Sequence, residues 1–93
     1  MFRILRVRGE SMLPVYRPGD FVIVRRVSRS TLKAGDVVVF ENFFYGMLIK
    51  KIDKVREEGV YVLGTGENSL DSRRLGPVPL EAIQGKVIWH IRR

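Results

Sequence analysis

Asp36-Val37-Val38-Val39-Phe40-Glu41-Asn42-Phe43-Phe44 decides the fold class. Its β-branched and aromatic residues suit a pleated, half-buried backbone, and the Gly35-Asp36 pair at its start is a turn signal. The same signature stands upstream, where Gly19 leads into Asp20-Phe21-Val22-Ile23-Val24-Arg25-Arg26-Val27. Working outward, residues 2–8 alternate apolar and basic side chains, as a strand does and a signal peptide does not. Residues 46–55, 59–63 and 86–91 read as three more strands. Only residues 28–33 and 79–83 suit a helix, each for a turn or two. Six short strands punctuated by Gly and Pro predict an all-β protein: a small antiparallel sheet or open barrel.

The composition narrows the chemistry. A chain of 93 residues is expected to form one domain, 1–93, with a core large enough to fold alone. The absence of cysteine excludes disulfides, thiolate metal sites and a cysteine nucleophile. His90 is the single histidine, which argues against a His-rich metal site and a Ser-His-Asp relay. No metal or organic cofactor is expected. The charge is +7, from 17 Lys and Arg against 10 Asp and Glu, and the basic residues are scattered through strands and turns. Such a surface attracts anionic partners without naming one. No apolar run approaches the roughly 20 residues of a membrane-spanning helix, so the expected location is cytoplasmic or peripheral to a membrane.

Three stretches carry residues fit for catalysis: Gly9-Glu10-Ser11-Met12-Leu13-Pro14, Leu48-Ile49-Lys50-Lys51 and Asn68-Ser69-Leu70-Asp71-Ser72-Arg73. Ser11 alone reads most simply as a turn residue. Its setting adds interest, because Gly9 permits close backbone approach, Met12 and Leu13 offer apolar walls, and Pro14 fixes the chain. A serine hydroxyl needs a base to take its proton, and a lysine serves only when burial favours its neutral amine. Alternation selects Lys50, which shares a strand face with Leu48 and Ile52, whereas Lys51 shares its face with Asp53. The competing reading has Lys50 snorkelling, its amine in water. The loop over residues 64–79 is long and rich in groups able to bond one another, which favours an ordered functional loop. Within it Ser69 is suited to orient a lysine amine, and Asp71 with Arg73 to brace the loop.

These stretches resemble the boxes of the type I signal peptidases and their leader-peptidase relatives. Residues 9–14 are similar to the nucleophile box, Arg17-Pro18-Gly19-Asp20-Phe21-Val22 to the turn and strand after it, and Gly35-Asp36-Val37-Val38 to a second Gly-Asp turn. Ile49-Lys50-Lys51 resembles the lysine box. Residues 68–73 with Gly76-Pro77-Val78-Pro79 resemble the C-terminal box, and Gln84-Gly85-Lys86-Val87 with Trp89 the closing strand. The resemblance implies Ser11 as nucleophile, Lys50 as general base, Ser69 as the lysine's orienting partner, and Asp71–Arg73 as a brace. It also implies the Ser11 N–H as one oxyanion donor. Gly9 stands where many relatives carry a hydroxyl donor. The anchor before the nucleophile and the β-rich insertion of larger relatives have no counterpart, so the chain looks like a minimal core, similar to the proteases that mature nickel-type superoxide dismutase. Repressor self-cleavage peptidases share the Ser-Lys chemistry and core fold, but residues 68–73 favour the leader-peptidase branch.

The expected function is therefore a serine endopeptidase that removes an N-terminal leader, signal or propeptide. Its partner would be a precursor polypeptide bound in extended form beside Gly9, Met12, Leu48 and Ile49. Two alternatives use the same fold: a basic β-barrel binding module for nucleic acid or an anionic surface, and a pseudoenzyme. Nucleic acid is the disfavoured partner, since strand aromatics more often pack than stack. Phe43-Phe44-Tyr45 beside Gly46 cannot all face inward, and an apolar hairpin tip on a +7 protein would suit peripheral contact with an anionic membrane.

Overall fold

The computed structural model describes residues 2–7, 17–43, 46–63 and 76–92. Six strands run through them: β1 (Phe2–Arg6), β2 (Phe21–Arg25), β3 (Val37–Asn42), β4 (Gly46–Arg56), β5 (Gly59–Leu63) and β6 (Ile83–Ile91). They join in one antiparallel sheet of order β1-β2-β6-β3-β4-β5. The all-β expectation holds, and the two helix-compatible stretches are single 3-10 turns at Arg29–Thr31 and Leu80–Ala82.

Several boundaries differ from the sequence reading. The strands expected over 20–27 and 36–44 shorten to β2 and β3, because Asp20 and Asp36 belong to the turns in front of them. β1 ends at Arg6, and Arg8 lies outside the described residues. β6 begins at Ile83 and not at Lys86. The stretch read as helix-compatible instead extends the strand, with Ile83 opposite Phe40. That extension lets β6 bridge β2 and β3, which are neighbours in sequence but not in the sheet.

Side-chain alternation splits the apolar residues into two clusters. Val38, Phe40, Ile52, Val60 and Val62 pack with Leu32 and Val78, which come from the chain covering this side. Val22, Val24 and Val39 pack with Val7. Bulges at Ile23/Val24 against β6 and at Ile52/Lys54 against β5 shift the register, so strict period-two reading fails beyond each. At the β3–β4 connection Phe43 is 94% exposed, while Phe44 and Tyr45 lie outside the described residues.

The β4–β5 turn carries a small titration signature. The Tyr61 hydroxyl donates to Glu58 Oε2 at 2.7 Å. Backbone hydrogen bonding, then this hydroxyl, hold the Glu58 carboxyl below its ordinary value, and the same bond pushes the Tyr61 hydroxyl up. Tyr61→Phe is expected to move the Glu58 midpoint upward in a carboxylate-resolved NMR titration. A depressed carboxyl contributes stability above its unfolded value and loses it as pH falls through the folded one. Both groups are exposed, so only the midpoint is expected to respond measurably.

Candidate active site

Lys50 lies in β4 opposite Val38 of β3, with Leu48 and Ile52 next to it on the same face. Phe40, Val38 and Ile52 make that face the floor of the larger apolar cluster. Lys50 is 0% exposed, and its Nζ itself is buried. The snorkelling reading is thereby excluded. Its neighbour Lys51 is exposed, as is Asp53. Alternation therefore chose the buried lysine correctly. Leu48 and Ile49 are half-buried on opposite faces, the first against the larger cluster and the second against the smaller.

The strand carrying Lys50 is held by a turn the sequence marked only as punctuation. In Lys33-Ala34-Gly35-Asp36, the Asp36 N–H donates to Lys33 O at 3.1 Å, and the Lys33 N–H donates to Asp36 Oδ2 at 3.1 Å. Gly35 adopts φ 95°, as the third position of such a turn requires. The turn then grips β4: the Gly35 N–H donates to Ile52 O at 2.9 Å, and the Ile52 N–H to Asp36 O at 2.7 Å. Asp36 is buried, and Lys86 Nζ of β6 stands 3.3 Å from its Oδ1. Lys86 pairs with Val38, so one row across the sheet reads Lys50, Val38, Lys86. The Asp36–Lys86 clasp fixes the backbone two residues from Lys50.

The Gly19-Asp20 turn repeats this plan. The Asp20 N–H donates to Arg17 O at 3.0 Å, the Arg17 N–H to Asp20 Oδ2 at 3.1 Å, and Gly19 has φ 93°. Its grip falls on the end of β1, where the Val7 N–H donates to Asp20 O at 2.7 Å and the Gly19 N–H to Val7 O at 3.0 Å. The Asp20 carboxylate, 1% exposed, again meets a β6 side chain: His90 Nε2 lies 2.7 Å from Oδ2. The histidine that sequence reasoning set aside is thus a structural partner of Asp20. Val7 and Arg17, which flank residues 8–16, are anchored at one clasp. Asp20→Ala would remove the acceptor of the Arg17 N–H and the carboxylate beside the His90 ring together. It is expected to cost about 1–3 kcal/mol in chemical denaturation.

Ser11, Gly9 and Met12 lie outside the described residues, as do Ser69, Asp71 and Arg73. Among the expected site residues, Leu48, Ile49 and Lys50 are therefore the ones the structure places. Sequence reasoning missed both carboxylate clasps, although two Gly-Asp turns ahead of two β-branched runs were the available signal. Among the described residues, no group of three or more His, Cys, Asp and Glu side chains is arranged to hold a metal ion. No helix among them is long and apolar enough to cross a membrane.

A fully buried lysine on a β-strand, in a chain whose sequence sets a serine between Gly9 and Pro14 and has no cysteine, has the makings of a Ser-Lys peptidase. No curated protein matches the chain. The model of the family described as Peptidase S24-like matches residues 2–88, nearly the whole length. The chain belongs to that family, a family of serine peptidases of the Ser-Lys type.

Proposed function

We propose that the protein is a serine endopeptidase in which Ser11 is the nucleophile and Lys50 the general base, removing a leader or propeptide from a precursor. The observation that carries this reading is the complete burial of the Lys50 amine. Burial disfavours the ammonium form, and a neutral amine is the form able to accept a hydroxyl proton. In the first step Lys50 Nζ takes the Ser11 Oγ proton as Oγ attacks the scissile carbonyl carbon. The Ser11 N–H then faces the developing oxyanion, and the lysine returns its proton to the departing amine. Water hydrolyses the acyl-enzyme by the same proton route in reverse. Ser69 orients the lysine amine, and the Asp71–Arg73 pair braces the loop that carries it.

The extended substrate fits the edge of β4. β5 pairs with Lys51–Arg56, and no described strand pairs with residues 46–50 on that side. A peptide added there would run beside Lys50, taking main-chain bonds from the strand and contacts from Leu48 and Ile49. The leader-peptidase function rests on the resemblance of residues 9–14 and 68–73, within the S24-like family that the chain matches.

The test is a search for new protein N-termini in a lysate treated with the parent chain, with Ser11→Ala as control. The reading expects a small set of N-termini that appear with the parent, survive in Lys51→Ala and vanish in both Ser11→Ala and Lys50→Ala. N-termini that persist in Lys50→Ala and vanish in Lys51→Ala would overturn the assignment of the base.

A further inference from the structure

β6 touches both halves of the candidate site through side chains four residues apart. Lys86 reaches Asp36 in the turn that grips the Lys50 strand, and His90 reaches Asp20 in the turn that ties Val7 to Arg17. On a regular strand residues four apart share a face. The bulge breaks that alternation: Val24 pairs with Val87 and Ile23 with Trp89, so Ile88 falls between partners. Lys86 therefore lies opposite Val38 of the larger apolar cluster, and His90 opposite Val22 of the smaller. Each buried carboxylate receives its own side chain from one strand.

A buried carboxylate needs hydrogen bonds whatever its task, so burial alone would give His90 a purely structural job. The path of the chain adds a second one. Residues 8–16, which contain Ser11, leave the sheet at Val7 and return at Arg17. Asp20 holds both ends: its main-chain oxygen accepts the Val7 N–H at 2.7 Å, and its Oδ2 accepts the Arg17 N–H at 3.1 Å. His90 Nε2 stands 2.7 Å from that same Oδ2. An imidazole Nε2–H is a donor suited to such an oxygen, and the bond fixes the direction in which the carboxylate faces Arg17. A rigid strand thus aims the residue that closes the ends of the serine segment, as a reaction sensitive to small displacements requires.

We propose that His90 is a positioning residue for the reaction: by holding Asp20 Oδ2 it fixes both ends of the segment that carries Ser11, and so sets where Ser11 meets Lys50. The role rests on the Ser11–Lys50 reading, whereas the anchoring it depends on does not.

The test compares the full chain with His90→Leu, which fills the place of the ring without a donor, and His90→Gln, whose amide nitrogen can stand where Nε2 does. Amide hydrogen exchange is read by NMR. Acylation by p-nitrophenyl acetate is read by nitrophenolate release, with Ser11→Ala as the blank, at a temperature where every variant is folded. His90→Leu should speed exchange at Val7 and Gly19 about tenfold or more and leave Ile52 and Val60 unchanged. It should slow the limiting acylation rate about tenfold or more, with the half-saturating concentration and the rise with pH retained, because Lys50 remains the base. His90→Gln should restore most of both. Val24→Ala, which trims the buried Val24 of the same cluster, controls for stability: it should lower the melting temperature and leave the acylation rate of the folded chain unchanged. Unchanged exchange in His90→Leu would show that the ring does not hold the segment's ends and would overturn the proposal. Faster exchange with unchanged acylation, or a Val24→Ala rate as low as that of His90→Leu, would leave His90 structural only and overturn it too. Nitrophenolate release by the parent no faster than by Ser11→Ala would instead sink the peptidase reading, and the positioning role with it, while the exchange data still report the anchoring.

Discussion

Lys50→Met is expected to abolish peptide cleavage and to leave the protein folded. If Lys50 and Ser11 form one proton-transfer unit, losing either costs nearly as much as losing both, on the order of 10⁴-fold or more in turnover. Methionine fills a similar volume among Leu48, Ile52 and Val38 without an amine to desolvate. A base that works as the neutral amine requires that the unfolded chain bind more protons than the folded one below the lysine's ordinary range. Parent stability should therefore rise as pH is raised into that range, and Lys50→Met should lose this dependence and be at least as stable near neutrality. Thermal melts of both proteins across pH, with cleavage assayed in parallel, check the two halves together. A clearly destabilised Lys50→Met near neutrality would make the lysine a structural cation and not a base.

Gly59→Ala should produce the largest loss of stability. Gly59 opens β5 at φ 148°, and a Cβ there would stand 2.5 Å from the Val78 carbonyl oxygen. Val78 cannot easily give way, because it exchanges hydrogen bonds with Val60 at 2.8 and 2.9 Å and is itself buried. Backbone strain and overpacking together should cost about 2–5 kcal/mol. For a chain of this size that means a melting temperature lower by on the order of 10–40 °C. Gly35→Ala is the control: φ is 95° there, but no atom stands within 4 Å of the added carbon. It should show the conformational cost alone, about 1–2 kcal/mol. A Gly59→Ala loss no larger than that of Gly35→Ala would contradict the packing account.

The strands and the buried lysine were legible because both depend on local pattern. β-branched runs behind Gly-Asp turns specify strands whatever lies next to them, and alternation separates Lys50 from Lys51 as long as the strand is regular. What the sequence hid depends on partners far along the chain. β6 lies between β2 and β3, and only that placement brings Lys86 to Asp36 and His90 to Asp20. The bulge opposite Ile23/Val24 moves β6 residues between faces, so Val87 packs inward while Trp89 emerges. No period-two count predicts that. Ile83 belongs to a stretch, 79–83, that suits a helical turn, yet its pairing with Phe40 outweighs local preference. At the level of family, residues 68–73 drew the reading toward leader peptidases, whereas the family match is to S24-like peptidases, whose Ser-Lys chemistry the two groups share.

The most direct test of the central claim is covalent labelling with a serine-directed acylating probe, followed by peptide mass mapping. The Ser11–Lys50 account predicts a single adduct on Ser11, formed faster as pH rises, absent from Ser11→Ala and nearly absent from Lys50→Met while both variants remain folded. Labelling of Ser11→Ala equal to the parent, or Ser11 labelling unchanged in Lys50→Met, would contradict it.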